Sequence, residues 1–148
     1  MSDVMDYIHL QNLYGRYCFA LDYGTTADLL DCFTPDGVFS LSDRGDFVGH
    51  EQIAALIDAS AEGRNRHQIM NLVIDSIANG EAKCRAYFLL LRTRDAAVMS
   101  YGHYQDTAVK CPDGVWRWSL KRVIFDWRDE AYARRSESQT VERLLGQG

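Results

Sequence analysis

Apolar residues recur at three- and four-residue steps from Asp3 to Leu21, at Val4, Ile8, Tyr14, Tyr17, Cys18 and Leu21. That period predicts a helix, and Gly24 supplies its stop. Gly15 inside the run costs about 1 kcal/mol against alanine, so packing has to hold this helix. A second, shorter helix is expected from Thr26 to Phe33, halted by Pro35 and the Asp36-Gly37 turn, followed by a short strand over Val38 to Leu41. Residues 50–60, HEQIAALIDAS, read as a third amphipathic helix with Ile53, Leu56 and Ile57 on its apolar side.

Beyond Gly63 the pattern changes to long runs rich in Val, Ile, Leu, Tyr and Trp. His67 to Ile77, Ala82 to Thr93, Val98 to Cys111 and Val115 to Trp127 read as four strands. Asn79-Gly80, Arg94-Asp95 and Pro112-Asp113-Gly114 separate them, and connections this short favour antiparallel neighbours. Three helices ahead of a four-strand meander predict an α+β fold, a cone-shaped curved antiparallel sheet with helices on one face and an enclosed pocket. The cone is expected over residues 3–127, with a peripheral, charged and helical tail over 128–148.

Length and composition narrow the function. At 148 residues the chain suits one domain, and 47% hydrophobic with 25% charged residues is the balance of a globular protein. A net charge of −5 argues against nucleic-acid binding, which needs clustered Lys and Arg. No run of about 18 apolar residues offers a membrane span, and MSDVMDYIHL carries no basic-then-apolar leader. A cytoplasmic location is therefore expected. Cys18, Cys32, Cys84 and Cys111 form no Cys-x-x-Cys pair, so buried free thiols are expected rather than a zinc site. Neither GxGxxG nor GxxxxGK[ST] occurs, so no nucleotide cofactor and no metal are expected.

Two residues stand out as candidates for chemistry. Asp22 ends the first helix, where the macrodipole disfavours a negative charge, directly after the apolar Cys18-Phe19-Ala20-Leu21. It either caps the turn before the second helix or serves a partner. His67 lies between the polar EGRNR and the apolar IMNLVI, and histidine moves protons near neutral pH, although a lone strand histidine is also common as a half-buried structural group. Tyr17 stands about 140° around the helix from Asp22, so the two can flank one pocket only at different depths. His103 and Tyr104 alternate on a strand, so only one of them looks inward.

The segments NLYGRYCFALDYGTTADLLDCFTPDGVFS, RHQIMN, YGHYQD and DGVWRW together resemble the SnoaL-like branch of the nuclear-transport-factor-2-like superfamily. The resemblance runs to about Trp127 and implies a cystatin-like α+β barrel with an interior pocket. Asp22 and His67 match the aspartate–histidine pair of its dehydratases, scytalone dehydratase and bile-acid dehydratase among them, and Tyr17 matches a tyrosine of the latter. Tyr104 matches a pocket-lining polar position. Leu41 stands where scytalone dehydratase has a tyrosine and ketosteroid isomerase its aspartate base, so dehydratase chemistry fits better than isomerase chemistry. The implied activity is cofactor-independent water elimination from a hydrophobic polycyclic or steroid-like hydroxy compound. Leu41, Phe19, Leu56, Leu90 and Trp118 would form the apolar wall. The resemblance also implies a homo-oligomer, trimer or dimer, and leaves open an isomerase, a cyclase, or a non-catalytic ligand-binding or assembly subunit.

Overall fold

The computed structural model describes residues 4–60 and 65–134, together with 138 and 142. Among the described residues the helices α1 (Val4–Tyr23), α2 (Thr26–Leu30) and α3 (Gly49–Ser60) accompany six strands, with a short helical segment after them. The strands are β1 (Phe33–Leu41), β2 (Gly45–Val48), β3 (Asn65–Ala78), β4 (Glu81–Arg92), β5 (Val98–Lys110) and β6 (Trp116–Arg128). They form one sheet in the order β2-β1-β6-β5-β4-β3. The four long strands pair antiparallel, as their short turns require, while β1 joins β6 in parallel. The result is the expected α+β architecture, a curved, unclosed sheet with the helices at the N-terminal side.

Several boundaries differ from the sequence pattern. The buried stripe of α1 is Leu10, Leu13, Tyr14, Tyr17 and Cys18, whereas Val4 and Ile8 are exposed. The helix therefore packs through its later turns. Helix α2 stops at Leu30, three residues before the expected end, and Thr25 and Asp28 cap its start reciprocally. Strand β1 starts at Phe33 and runs through Pro35. Its pairing with β6 slips between Phe33 and Val38, so the missing proline N–H costs no ladder bond. The four residues of β2 are too few and too polar to announce themselves. Of the expected tail, residues 130–134 are helical, capped by Asp129 Oδ1 accepting from the Tyr132 N–H at 2.9 Å. Most of the remainder lies outside the described residues.

Sheet curvature is set where strands slip register. A Cβ on Gly102 would stand 2.0 Å from the Ile124 carbonyl oxygen, so only glycine permits this approach of β5 to β6. The pairing shifts beside it, between Tyr101 and Gly102. No helix among the described residues is long and apolar enough to cross a membrane.

All four cysteines are free, and Cys18, Cys32 and Cys84 are buried. Burial pushes their thiols up, to about 12, 11 and 12. The unfolded chain releases these protons near 9.0 while the folded chain keeps them, so stability falls as pH rises from that point. Tyr14, Tyr17 and Tyr104, raised far above 10.0 chiefly by burial, act in the same direction at higher pH. Each buried thiol then costs about 1.4 kcal/mol per pH unit. Three of them approach a typical total stability of about 5–15 kcal/mol within a few units. Cooperative unfolding is expected as pH climbs from 9 toward 11, read by tryptophan fluorescence. An unchanged melting temperature across that span would contradict the burial of these thiols.

Candidate functional site

The end of α1 and the start of β3 meet over a cavity of about 130 Å³ on the concave side of the sheet. Asp22, in the last turn of α1, turns its carboxylate toward β3 and grips His67 twice. Its Oδ2 accepts the His67 backbone N–H at 2.9 Å, and its Oδ1 lies 2.6 Å from the ring Nδ1. The Asp22 side chain is 6% exposed and that of His67 21%. A carboxylate can only accept, so Nδ1 carries the proton in this contact and Nε2 is left as the basic nitrogen. The charge at the helix end thus has a partner 45 residues away.

Tyr17 also lines the cavity, with its ring edge-on to His67 at a centroid separation of 6.4 Å. Burial raises its hydroxyl far above the ordinary value, so it stays protonated at neutral pH. The Tyr104 ring packs edge-on against the Tyr17 ring at a centroid separation of 6.2 Å. The 140° offset on the helix places Tyr17 deeper than Asp22. Of the expected wall, Leu41, Leu56, Leu90 and Tyr104 face the cavity.

Two expected wall residues do not. Phe19 is 69% exposed and stacks on Tyr23 at 5.9 Å, because α1 turns Cys18 and not its neighbour inward. Trp118 is fully buried but packs edge-on against Tyr14 at 4.7 Å, in the core and away from the cavity wall. His103 points to the outer face near Asp126, so Tyr104 is the inward member of that pair.

Beneath the cavity lies a group that hydrophobic alternation did not single out. Lys121 Nζ is fully buried, 2.7 Å from Asp106 Oδ2 and 3.3 Å from the centre of the Tyr104 ring. The rings of Tyr14 and Tyr17 stand 4.5 and 4.8 Å from the same ammonium. Asp106 accepts the Tyr14 hydroxyl at 2.6 Å and the Arg122 N–H at 3.0 Å. Burial raises the Asp106 carboxyl and lowers the Lys121 amine, each opposed by its partner.

Polar residues at the other side of the cavity also escaped the sequence reading. Arg44, Asn65, Ser100, Arg128 and Tyr132 all line it. Ser100 was within reach of the strand pattern, since it shares a face with Tyr104. Arg44 and Arg128 carry charges on the strand flanks, yet their side chains are only 13% and 8% exposed. Among the described residues, no three His, Cys, Asp or Glu side chains converge as metal ligands do.

Residues 2–122 match the SnoaL-like domain family. The anthranilate 1,2-dioxygenase small subunit of Burkholderia cepacia is 27% identical over 145 residues, covering 84% of this chain and 89% of that one. A function-unknown protein from Mycobacterium tuberculosis superposes with a TM-score of 0.84 at 22% identity, over 95% of this chain and 97% of its own. A proposed scytalone dehydratase from Novosphingobium aromaticivorans gives a TM-score of 0.75 at 20% identity, over 86% and 88% of the two chains. Likeness at that level of identity establishes the shared cystatin-like architecture and leaves activity to the site itself. With the family matched across most of its length and the sheet, helices and cavity agreeing, the chain belongs to the SnoaL-like domain family.

Proposed function

We propose that the cavity is the active site of a cofactor-independent hydro-lyase that removes water from a hydrophobic, ring-containing hydroxy compound. The observation that carries this reading is the double grip of Asp22 on His67. It fixes both the ring orientation and the tautomer, which is what a carbon acid's base requires. His67 Nε2 takes a proton from the carbon next to an activating carbonyl. The electron pair left behind forms the carbon–carbon double bond as the neighbouring C–O bond breaks, and the His67 imidazolium returns its proton to the departing hydroxyl, which leaves as water. Asp22 stabilises the imidazolium, and Tyr17 donates to the oxygen on which charge develops. A cavity of about 130 Å³ is near the ~150 Å³ that accommodates benzene. One ring is enclosed, and a larger polycyclic compound enters with one ring only.

The likeness to a dioxygenase small subunit supports a second reading, in which the cone serves assembly. The outer sheet face exposes Tyr87, Tyr101 and Trp127, an aromatic surface suited to self-association as a dimer or trimer or to a larger subunit. The two readings separate in one experiment. A panel of cyclic β-hydroxy ketones and hydroxysteroids is incubated with the protein and followed by mass spectrometry for loss of one water. Turnover by the native chain and none by His67→Ala is the expected result. Binding with no product from either form would favour a non-catalytic ligand-binding protein, and neither binding nor turnover would favour the assembly reading.

A further inference from the structure

Two buried polar atoms in the cavity have no hydrogen-bond partner among the described residues, the Ser100 hydroxyl oxygen and Arg128 Nε. Ser100 is 1% exposed and the Arg128 side chain 8%, so neither is hydrated from the surface. A buried donor left unmade costs about 1–3 kcal/mol, more when charged. An unsatisfied pair of this kind in a cavity wall therefore points to a missing acceptor. The two belong together, because Ser100 and Arg128 are register partners across β5 and β6.

The surrounding charge names the acceptor. Arg128 contacts Asp43 through one terminal nitrogen and lies over the Phe125 ring at 4.3 Å, which fixes the guanidinium plane. Arg44 lines the same region and meets the same Asp43, 3.6 Å from its Nε. Burial, and then the neighbouring Arg128, pull the Arg44 guanidinium below its ordinary value. Two crowded cations and a hydroxyl favour an anion, and a planar guanidinium fork matches a carboxylate.

The register gives the spacing. His67 pairs with Leu90, Leu90 with Ser100, and Ser100 with Arg128, so base and cation stand in one row across four strands. Inter-strand steps of about 4.8 Å place their backbones about 14 Å apart. Concave curvature draws the side-chain tips closer and leaves room for about one ring between them.

We propose that the substrate carries a carboxylate, received by Arg128, Ser100 and Arg44, about one ring's width from the carbon that yields its proton to His67. This rests on the cavity being the ligand site, and it narrows the substrate class from neutral polycyclic compounds to ring-bearing organic acids. The arrangement orients the substrate, since only one end can face the cations.

The test compares acids with their neutral isosteres by titration calorimetry at neutral pH, using phenylacetate against phenylacetamide and cinnamate against cinnamamide. Each acid is expected to bind about tenfold or more tighter than its amide, the advantage of charge-assisted hydrogen bonds. Arg128→Gln should bring the acid down to the amide's affinity, and Ser100→Ala should weaken the acid while sparing the amide. If Arg128→Gln does not fold, as judged by its thermal melt, Arg44→Gln carries the same expectation. His67→Ala should keep the preference for acids, so a failed lyase reading and a failed carboxylate reading look different. Equal binding of acid and amide, no binding of either acid at millimolar concentration, or an undiminished preference in the arginine variant would overturn the proposal.

Discussion

Lys121→Met is expected to destabilise the fold by about 3–5 kcal/mol, the cost of leaving one member of a buried ion pair without the other. Lys121 and Asp106 have fully buried side chains, so neither charge reaches water when its partner is removed. With the lysine gone, Asp106 retains the Tyr14 hydroxyl and the Arg122 N–H but loses the ammonium it pairs with. The aromatic rings around the ammonium lose a cation–π partner at the same time. Asp106→Leu should cost a similar amount for the opposite reason, since the ammonium then keeps its ring faces but loses its carboxylate acceptor. The double variant Asp106→Leu/Lys121→Met removes both charges and should recover much of the loss, because well-packed apolar replacements of buried pairs are often neutral or stabilising. Urea unfolding measures all three. A single variant with an unshifted midpoint would mean that the pair is solvated in solution. The same pair supports the cavity floor, since Lys121 touches the Tyr17 and Tyr104 rings, so destabilised variants should also bind ligand poorly.

How much of this was legible follows from where strand alternation stays in phase. Strand β4 alternates strictly, with Ala82, Cys84, Ala86, Phe88 and Leu90 buried, and its inner face can be read directly from the sequence. Strand β6 does not. Trp116 and Trp118 point inward, and unbroken alternation would bury Leu120 and expose Lys121. The pairing with β5 slips between Thr107 and Ala108, leaving Ser119 unpaired, and the phase reverses so that Lys121 turns inward. A second slip between Tyr101 and Gly102 leaves Asp126 unpaired and sets Arg128 opposite Ser100. Both hidden cations therefore owe their positions to bulges, which residue types alone do not announce. The Asp22–His67 contact was legible only through the resemblance to the dehydratases. A carboxylate at the C-terminal end of a helix is locally unfavourable, which marks Asp22 as needing a cap role or a partner but does not name His67. Phe19 misled because its neighbours are buried, whereas its own angle on the helix faces solvent.

Asp22→Asn is expected to lower turnover by about 10²–10⁴-fold, close to the loss from removing the base itself. The wild-type carboxylate accepts twice, from the His67 backbone N–H and from the ring Nδ1–H. An amide has one accepting oxygen and one donating nitrogen, so it cannot repeat both contacts. If the amide oxygen stays with the backbone N–H, its NH2 faces Nδ1, which must then accept. The ring proton moves to Nε2, the nitrogen needed as the base, and proton abstraction stops. If the amide flips, the ring keeps its tautomer but the backbone of β3 loses its anchor, and no negative charge remains to stabilise the imidazolium. Either outcome impairs the same step by a different route. The structural cost is smaller, because asparagine nearly matches aspartate in shape and one of the two contacts survives. The variant should therefore melt near the wild-type temperature, bind the carboxylate probes with their preference for acid intact, and fail in turnover. Tyr17→Phe should lose less, since it removes one donor and leaves the base. Nitrogen-15 NMR of the His67 ring reports the tautomer directly: Nδ1–H in the native chain, and Nε2–H or a mixture in Asp22→Asn. An unchanged tautomer together with unchanged turnover would show that His67 acts without Asp22, and the dyad would lose its place in the mechanism.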